Sequence, residues 1–325
     1  MGSAQPEFDP ARVYMTVDEK DAPSAMNLQF ESSKEAKPAA AHGAGGLARA
    51  PLSGGVRTAT ARYALPSPTV AVRNLVEIAR FGHLCTTMSG MHHRRAGYPF
   101  GTLIDFAVDG AGHPIFCLST LAIHSRNLLE DPRCSLVVQM PGWTGLANAR
   151  VTIFGDAHAL PSELQDEAKM VFAQKEGDPN SFRSSNFVFF RMDRITDIYF
   201  VGGFGTVQWI TPAEYLSCAP DAIVITGNPT KTLQALTEAF QADLTTLMTA
   251  AVGRTVTEVM FISIDANGAD LRLRCAQEFN VERLAFGHKV TTLDEAMVGV
   301  KSAVAVMKAT LMKEASVAAK PKAAK

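Results

Sequence analysis

The chain has 325 residues, 47% hydrophobic and 19% charged, with 31 basic against 32 acidic side chains for a formal net charge of -1. That length allows two compact domains with sizeable cores. The near-neutral balance excludes broad electrostatic binding, so no nucleic-acid partner is expected. The longest apolar runs, such as residues 134–140, are strand-sized, so no membrane span is expected. The five cysteines, Cys85, Cys117, Cys134, Cys218 and Cys275, form no CxxC pair. They indicate a reducing compartment with no disulfide framework and no thiolate metal site. Cys85, Cys117 and Cys134 read as small core residues within strands.

Residues 1–65 are rich in Ala, Gly, Pro and Ser and lack apolar periodicity, which predicts a disordered arm whose residues 1–60 are dispensable for folding. Residues 36–76 contain no acidic group but include Arg49, Arg57 and Arg62, a composition like the end of an organelle transit peptide. The first 35 residues do not fit that pattern, since Glu7, Asp9 and Asp18 are among them. Ser67-Pro68 opens a helix over 69–81, with Val70, Leu75, Ile78 and Ala79 near one face. Strands follow at 82–89, 100–108 and 114–120, the last two forming a hairpin around the turn at Asp109-Gly110. A short helix over 121–130 precedes strands at 134–140 and 149–160. A helix over 162–176 with Ser162 as N-cap leads to a strand at 187–203. Many short strands with few helices indicate a closed or partly closed β-barrel over residues 66–213.

Residues 214–313 change rhythm and read as a small α+β domain. Asn228-Pro229 caps a helix to about residue 250. A strand at 256–265, the turn signal Asn267-Gly268 and a strand at 269–276 form a hairpin. Thr292 and Glu295 form a capping box for a final helix to about residue 311, followed by a frayed tail over 314–325.

Three stretches in this order, YPFGTLIDFA (98–107), LSTLAIHSRNLLEDPR (118–133) and NARVTIFGD (148–156), resemble the pyridoxamine 5'-phosphate oxidase-like split barrels. More closely they resemble the branch of bacterial haem-utilisation proteins and their plant and algal plastid relatives. VGGFG (201–205) and ISIDANGADLR (262–272) fit the same branch, and the likeness covers about residues 66–305. The resemblance implies an α+β chain, a dimeric FMN-binding split barrel followed by a small α+β domain. It implies a homodimer with FMN at the subunit interface, a flavoprotein oxidoreductase, and a chloroplast location; otherwise the chain is expected in the cytoplasm.

The resemblance further implies that Ser125-Arg126 holds the FMN phosphate, with His124 beside it. A phosphate dianion needs a guanidinium fork with nearby hydroxyl and backbone donors. The matching first-strand segment, 98–105, lacks the oxidases' Arg and Lys, so phosphate charge rests on Arg126 and on Arg150. Backbone groups of Phe100, Gly101 and Thr102 are candidates for the isoalloxazine edge, and Gln139 is a further candidate at a strand end. The bland readings are a surface arginine for Arg126, a helix cap for Ser125, a structural histidine for His124 and a strand-edge ion pair for Arg150.

His92-His93-Arg94-Arg95 is a basic cluster that would suit an anionic ligand, with a solvated loop as its alternative. Trp209 is read as a flavin-stacking or core residue, and His288 as a weak haem-ligand candidate. Gly202, Gly203 and Gly205 are not a dinucleotide motif, because no suitable helix follows. The family's His-Met-Asn signature has no counterpart; Thr226-Gly227-Asn228 stands near its place. Three functions follow: FMN-dependent oxidoreductase, haem binding or degradation, and a non-catalytic dimeric regulator of tetrapyrrole metabolism. All three take a small-molecule ligand or its remnant site and no resident metal ion.

Overall fold

A computed structural model describes residues 64–91, 94–146, 148–176, 186–202 and 206–318. Of the arm expected over 1–65, residues 1–63 lie outside the described residues, as does the end of the tail. Helix α1 (Pro68–Ile78) opens as expected: the Ser67 side chain accepts from the Val70 amide and Pro68 fills the first turn. It stops short of the expected residue 81 because Phe81 already starts strand β1 (Phe81–Thr87). Then come β2 (Pro99–Val108), β3 (Pro114–Ser119), helix α2 (Ile123–Glu130), β4 (Arg133–Gln139), β5 (Arg150–Ala159), helix α3 (Ser162–Glu176), β6 (Phe187–Gly202) and β7 (Thr206–Ile210).

These seven strands form one sheet in the order β3-β2-β1-β4-β5-β6-β7. An added β3–β6 pairing closes six of them into an antiparallel barrel, with β7 outside on β6. Alternation along each strand sends Leu84, Leu136, Ile153 and Ile198 into the barrel core and leaves the intervening residues outside. The barrel is split. β2 pairs with β3 only over Phe106–Val108, while β3 pairs on its other edge with β6 over Ile115–Ser119.

Helix α4 (Pro212–Leu216), opened by a Thr211–Glu214 capping box, carries Tyr215 into the barrel core, where its hydroxyl donates to Gly112 O at 2.8 Å. Helices α5 (Ala222–Ile225) and α6 (Pro229–Val252) lead to β8 (Glu258–Asp265), β9 (Gly268–Cys275), β10 (Glu278–Ala285) and helix α7 (Leu293–Ala318). β10-β9-β8 is a separate antiparallel sheet. Its Ile264, Leu271 and Leu273 pack with Leu236 and Leu244 of α6 and Val300 of α7 in a second core.

Several local expectations are corrected. Ser162 is the first residue of α3, and its hydroxyl donates to Glu163 rather than capping an amide. The β8–β9 turn is Ala266-Asn267, one residue earlier than expected. Asp265 shapes it by accepting from the amides of Asn267 and Gly268. Gly268 begins the strand, where a Cβ would lie 2.4 Å from Leu284 O. Glu295 reaches back to Thr291 instead of Thr292, although Thr292 does accept from the Glu295 amide. Helix α7 continues to Ala318 through the start of the expected tail. The cysteines are all free thiols, four of them half-buried and Cys275 buried. Among the described residues no helix is long and apolar enough to cross a membrane.

Candidate functional site

Helix α2 is held over the far end of β1 by one buried side chain. Asn127 Nδ2 donates to Thr86 Oγ1 at 2.9 Å, and Asn127 Oδ1 accepts from the Ser89 amide at 3.0 Å. One turn on, Glu130 accepts from the Gly90 amide at 2.9 Å. Both acceptor–donor pairs fix the helix against the barrel wall, and with it His124, Ser125 and Arg126.

These three residues differ in what they offer. Ser125 is 1% exposed and its hydroxyl donates to Ser119 O at 2.6 Å, so its proton is committed to the backbone. Arg126 is half-buried and makes no ion pair with any described residue. His124 is half-buried, and burial lowers its pKa below the ordinary 6.5, which keeps the imidazole neutral at pH 7.

His124 lines a groove of about 490 Å³ where β2 diverges from β3. Phe81, Leu103, Ile104 and Phe187 give it apolar walls, and Asp105 and Cys117 line it as well. Burial, with Asp105 adding to it, pushes the Cys117 thiol up to about 12, so that sulfur stays protonated and is no nucleophile. Strand parity carried the signal for these walls. In β1 the alternation puts Phe81 outside with His83 and Cys85, and in β2 it puts Leu103 outside.

Phe100, Gly101 and Thr102 lie opposite Thr86, Cys85 and Leu84. They therefore share the end of β1 that carries α2. Gln139 and Arg150 pair with each other at the other end. Val137 sits opposite His83, so Gln139 is level with the start of β1, roughly 16 Å along the strand from Thr86 at about 3.3 Å per residue. Arg150 Nη1 donates to Leu146 O at 2.8 Å. The eight candidates thus form two groups, 100–102 with 124–126 and 139 with 150.

His92, His93, Gly203 and Gly205 lie outside the described residues, while Arg94 and Arg95 are exposed in the loop between β1 and β2. Trp209 is 57% exposed on the outer face, with ring contacts to Tyr199 at 4.9 Å and Phe154 at 6.2 Å. His288 is exposed before α7, close enough to Glu295 to lower that carboxyl's pKa slightly beyond the effect of its Thr291 hydrogen bonds. Asn228 caps α6 by accepting from the Lys231 amide. Among the described residues no group of three or more His, Cys, Asp or Glu is placed to hold a metal ion.

A six-stranded antiparallel barrel with one diverging seam is the architecture of a split barrel. Residues 66–217, a little under half of the chain, match the family model described as CREG, beta-barrel, and this segment is similar to the pyridoxamine 5'-phosphate oxidase-like split barrels. It is similar to the "Non-canonical heme oxygenase HOZ, chloroplastic" of Arabidopsis thaliana, 36% identical over 118 residues, which cover 36% of this chain and 34% of that protein. It is also similar to the "Glutamyl-tRNA reductase-binding protein, chloroplastic" of the same plant, 26% identical over 165 residues, covering 51% and 47% respectively. The matched segments therefore span about a third and about half of those relatives' own length. Among solved structures, a heme binding protein from Mycobacterium smegmatis aligns at 21% identity and a TM-score of 0.47, covering 77% of this chain and 99% of that one.

Proposed function

We propose that this chain is a haem-binding split-barrel protein that works as a homodimer, located in a plastid. The observation that carries the reading is His124: an imidazole kept neutral by burial, facing a groove with aromatic and aliphatic walls. A haem macrocycle is flat and apolar and is held through iron by a neutral histidine nitrogen. Arg126, on the same helix and without an ion pair among the described residues, suits a propionate. Bound there, haem would supply iron-centred redox and oxygen chemistry. This chain's residues would position it and exclude water. The haem-related name of the 36% identical relative supports the ligand class, and the names of both plant relatives support the plastid.

The outer barrel face supports the dimer. Phe81 and Leu103 are each 60% exposed, and Phe154, Trp209 and Val207 add apolar surface on β5 and β7. A second copy would cover this face and close the groove.

FMN-dependent oxidation–reduction is the second reading, and one observation favours it. At Gly101 an added Cβ would meet only Cys85 Sγ, at 3.8 Å, so a flat ring could approach the β2 backbone. The phosphate fits less well: the Ser125 proton is committed, Arg150 stands at the other end of β1, and Asp105 adds negative charge to the groove.

The deciding experiment is a visible spectrum of the purified full chain, then titration of the apoprotein with haem. A Soret band that shifts in His124→Ala, together with a dimer mass in sedimentation, is the expected result. Flavin bands, or a Soret band indifferent to His124→Ala, would replace this reading.

A further inference from the structure

A second cavity adjoins the seam groove, the two sharing Phe81. Its volume is about 550 Å³, within the range of small-molecule sites. One side is the loop after β4, and the other is helix α6 with strand β8. The floor is apolar, made by Ile78, Leu233 and Phe261, all buried.

Besides Phe261 in the floor, two aromatic side chains line this cleft, Trp143 and Phe81. Neither is in a ring–ring pair among the described residues, whereas Trp209, the chain's other tryptophan, is in two. Trp143 is half-buried, and its loop is seated tightly. Gly142 takes φ +69, and a Cβ there would lie 2.7 Å from Ile262 Cγ2 on β8. Only glycine accepts both the left-handed backbone and that contact, so the loop is locked where it presents the indole to the cleft. Beside it, the Gln139 carboxamide meets no hydrogen-bond partner among the described residues. The charged lining residues are Arg80, Arg272 and Glu238, two cations against one anion.

We propose that this cleft is a second ligand site, for a flat aromatic ring carrying a carboxylate. The ring stacks on Trp143 and Phe81 over the aliphatic floor. The carboxylate turns toward Arg80 at the mouth, and Gln139 hydrogen-bonds the ring edge. Arg272 holds the wall through Glu258 at 3.4 Å and sets the positive sign of the field. The site shares Phe81 with the groove at the barrel seam and is otherwise built from different residues.

The full chain carrying Trp209→Phe has Trp143 as its sole tryptophan. 1-Pyrenecarboxylate, which absorbs where tryptophan emits, should quench that emission saturably. Arg80→Ala in the same background should weaken binding about tenfold, the size of one lost charge-assisted contact, and neutral 1-pyrenemethanol should bind the unaltered cleft about tenfold more weakly for the same reason. Gln234→Phe, at an exposed position on the cleft wall, should abolish quenching while circular dichroism stays unchanged. No saturable quenching below about 1 mM, persistence of quenching in folded Gln234→Phe, or equal affinity for the two probes would overturn the proposal. Haem titration of Gln234→Phe separates the two readings. A normal Soret response there with no pyrene response in the unfilled chain leaves haem binding standing and removes the cleft; the reverse pattern does the opposite.

Discussion

The inside of the barrel is packed with apolar side chains such as Leu84, Leu136 and Ile153, its buried polar groups such as Thr86 and Asn127 lie at its end, and Phe81, Leu103 and Trp209 stay exposed on its outer face. The three-stranded sheet does the reverse with its most demanding residue. Arg283 on β10 is 1% exposed, paired to Asp265 at 2.7 Å and Asp270 at 3.4 Å, and it donates to Ala64 O at 3.2 Å. Burial by itself would lower the arginine's pKa; the two aspartates outweigh that and raise it, so the guanidinium is fixed as a cation. One sheet therefore leaves its apolar surface available for a partner or ligand. The other uses buried charge to fix how β8, β9, β10 and the chain before α1 meet. The lesson is about where change is tolerated: the barrel face should accept substitution with loss of association, and the small sheet should not accept it at all.

The largest effect should come from breaking the buried cluster. Arg283→Met removes the cation and leaves two buried carboxylates facing each other, at a cost of about 3–5 kcal/mol. Urea denaturation followed by circular dichroism measures it, and a loss under about 1 kcal/mol would mean the cluster is not what fixes the small sheet. Gly268→Ala should cost about 1–3 kcal/mol, because its Cβ meets the Leu284 carbonyl and the Arg283 guanidinium rather than a yielding side-chain tip. A calorimetric Tm unchanged from wild type would show that β9 and β10 can separate without penalty.

On the barrel side the corresponding anchor is Asn127, 0% exposed. Asn127→Ala should cost about 1–3 kcal/mol for the unsatisfied Thr86 hydroxyl and Ser89 amide. Its sharper signature is local: amide exchange in α2 should accelerate while the three-stranded sheet keeps its protection. Faster exchange in both sheets at once would erase the contrast drawn between them.

Much of this contrast was legible before any coordinates. The strand-sized runs at 100–108 and 114–120 around a turn, the Ser67-Pro68 and Asn228-Pro229 starts and the long strand from Phe187 each follow from local chemistry. β10 was not legible, because the β9–β10 turn is Ala276-Gln277, without Gly, Asn or Pro, even though Ala276 adopts φ 55. The split could not be read either: it depends on β2 meeting β3 over three residues alone, in a barrel closed by β3 and β6, which pair residues some 75 positions apart at Ile115 and Arg191. The site was half legible. Motif resemblance pointed to His124, Ser125 and Arg126 as candidates, but not to the Ser125 proton being taken by Ser119, nor to Gln139 standing beside Trp143 in a different cavity. Those facts come from contacts distant in sequence.

The smallest expected effect is a pH dependence confined to the barrel side. Arg283 stays charged throughout the working range, so the small sheet contributes no titration near neutrality. His124 does titrate there. Its folded pKa is lowered by burial from 6.5, so between the folded value and about 6.5 the unfolded chain binds more protons than the folded one. Stability contributed by this residue is therefore fully present above about 6.5 and falls as pH drops through that window, becoming constant again below the folded pKa. The urea midpoint of wild type minus that of His124→Gln, measured from pH 7.5 to 4.5, isolates the term from the other histidines. The difference should decline only within the window. Parallel curves would place His124 in solvent-like surroundings and remove the neutral imidazole from the groove. The same proton competes with iron, so haem affinity should weaken over the same range, with the loss absent in His124→Gln.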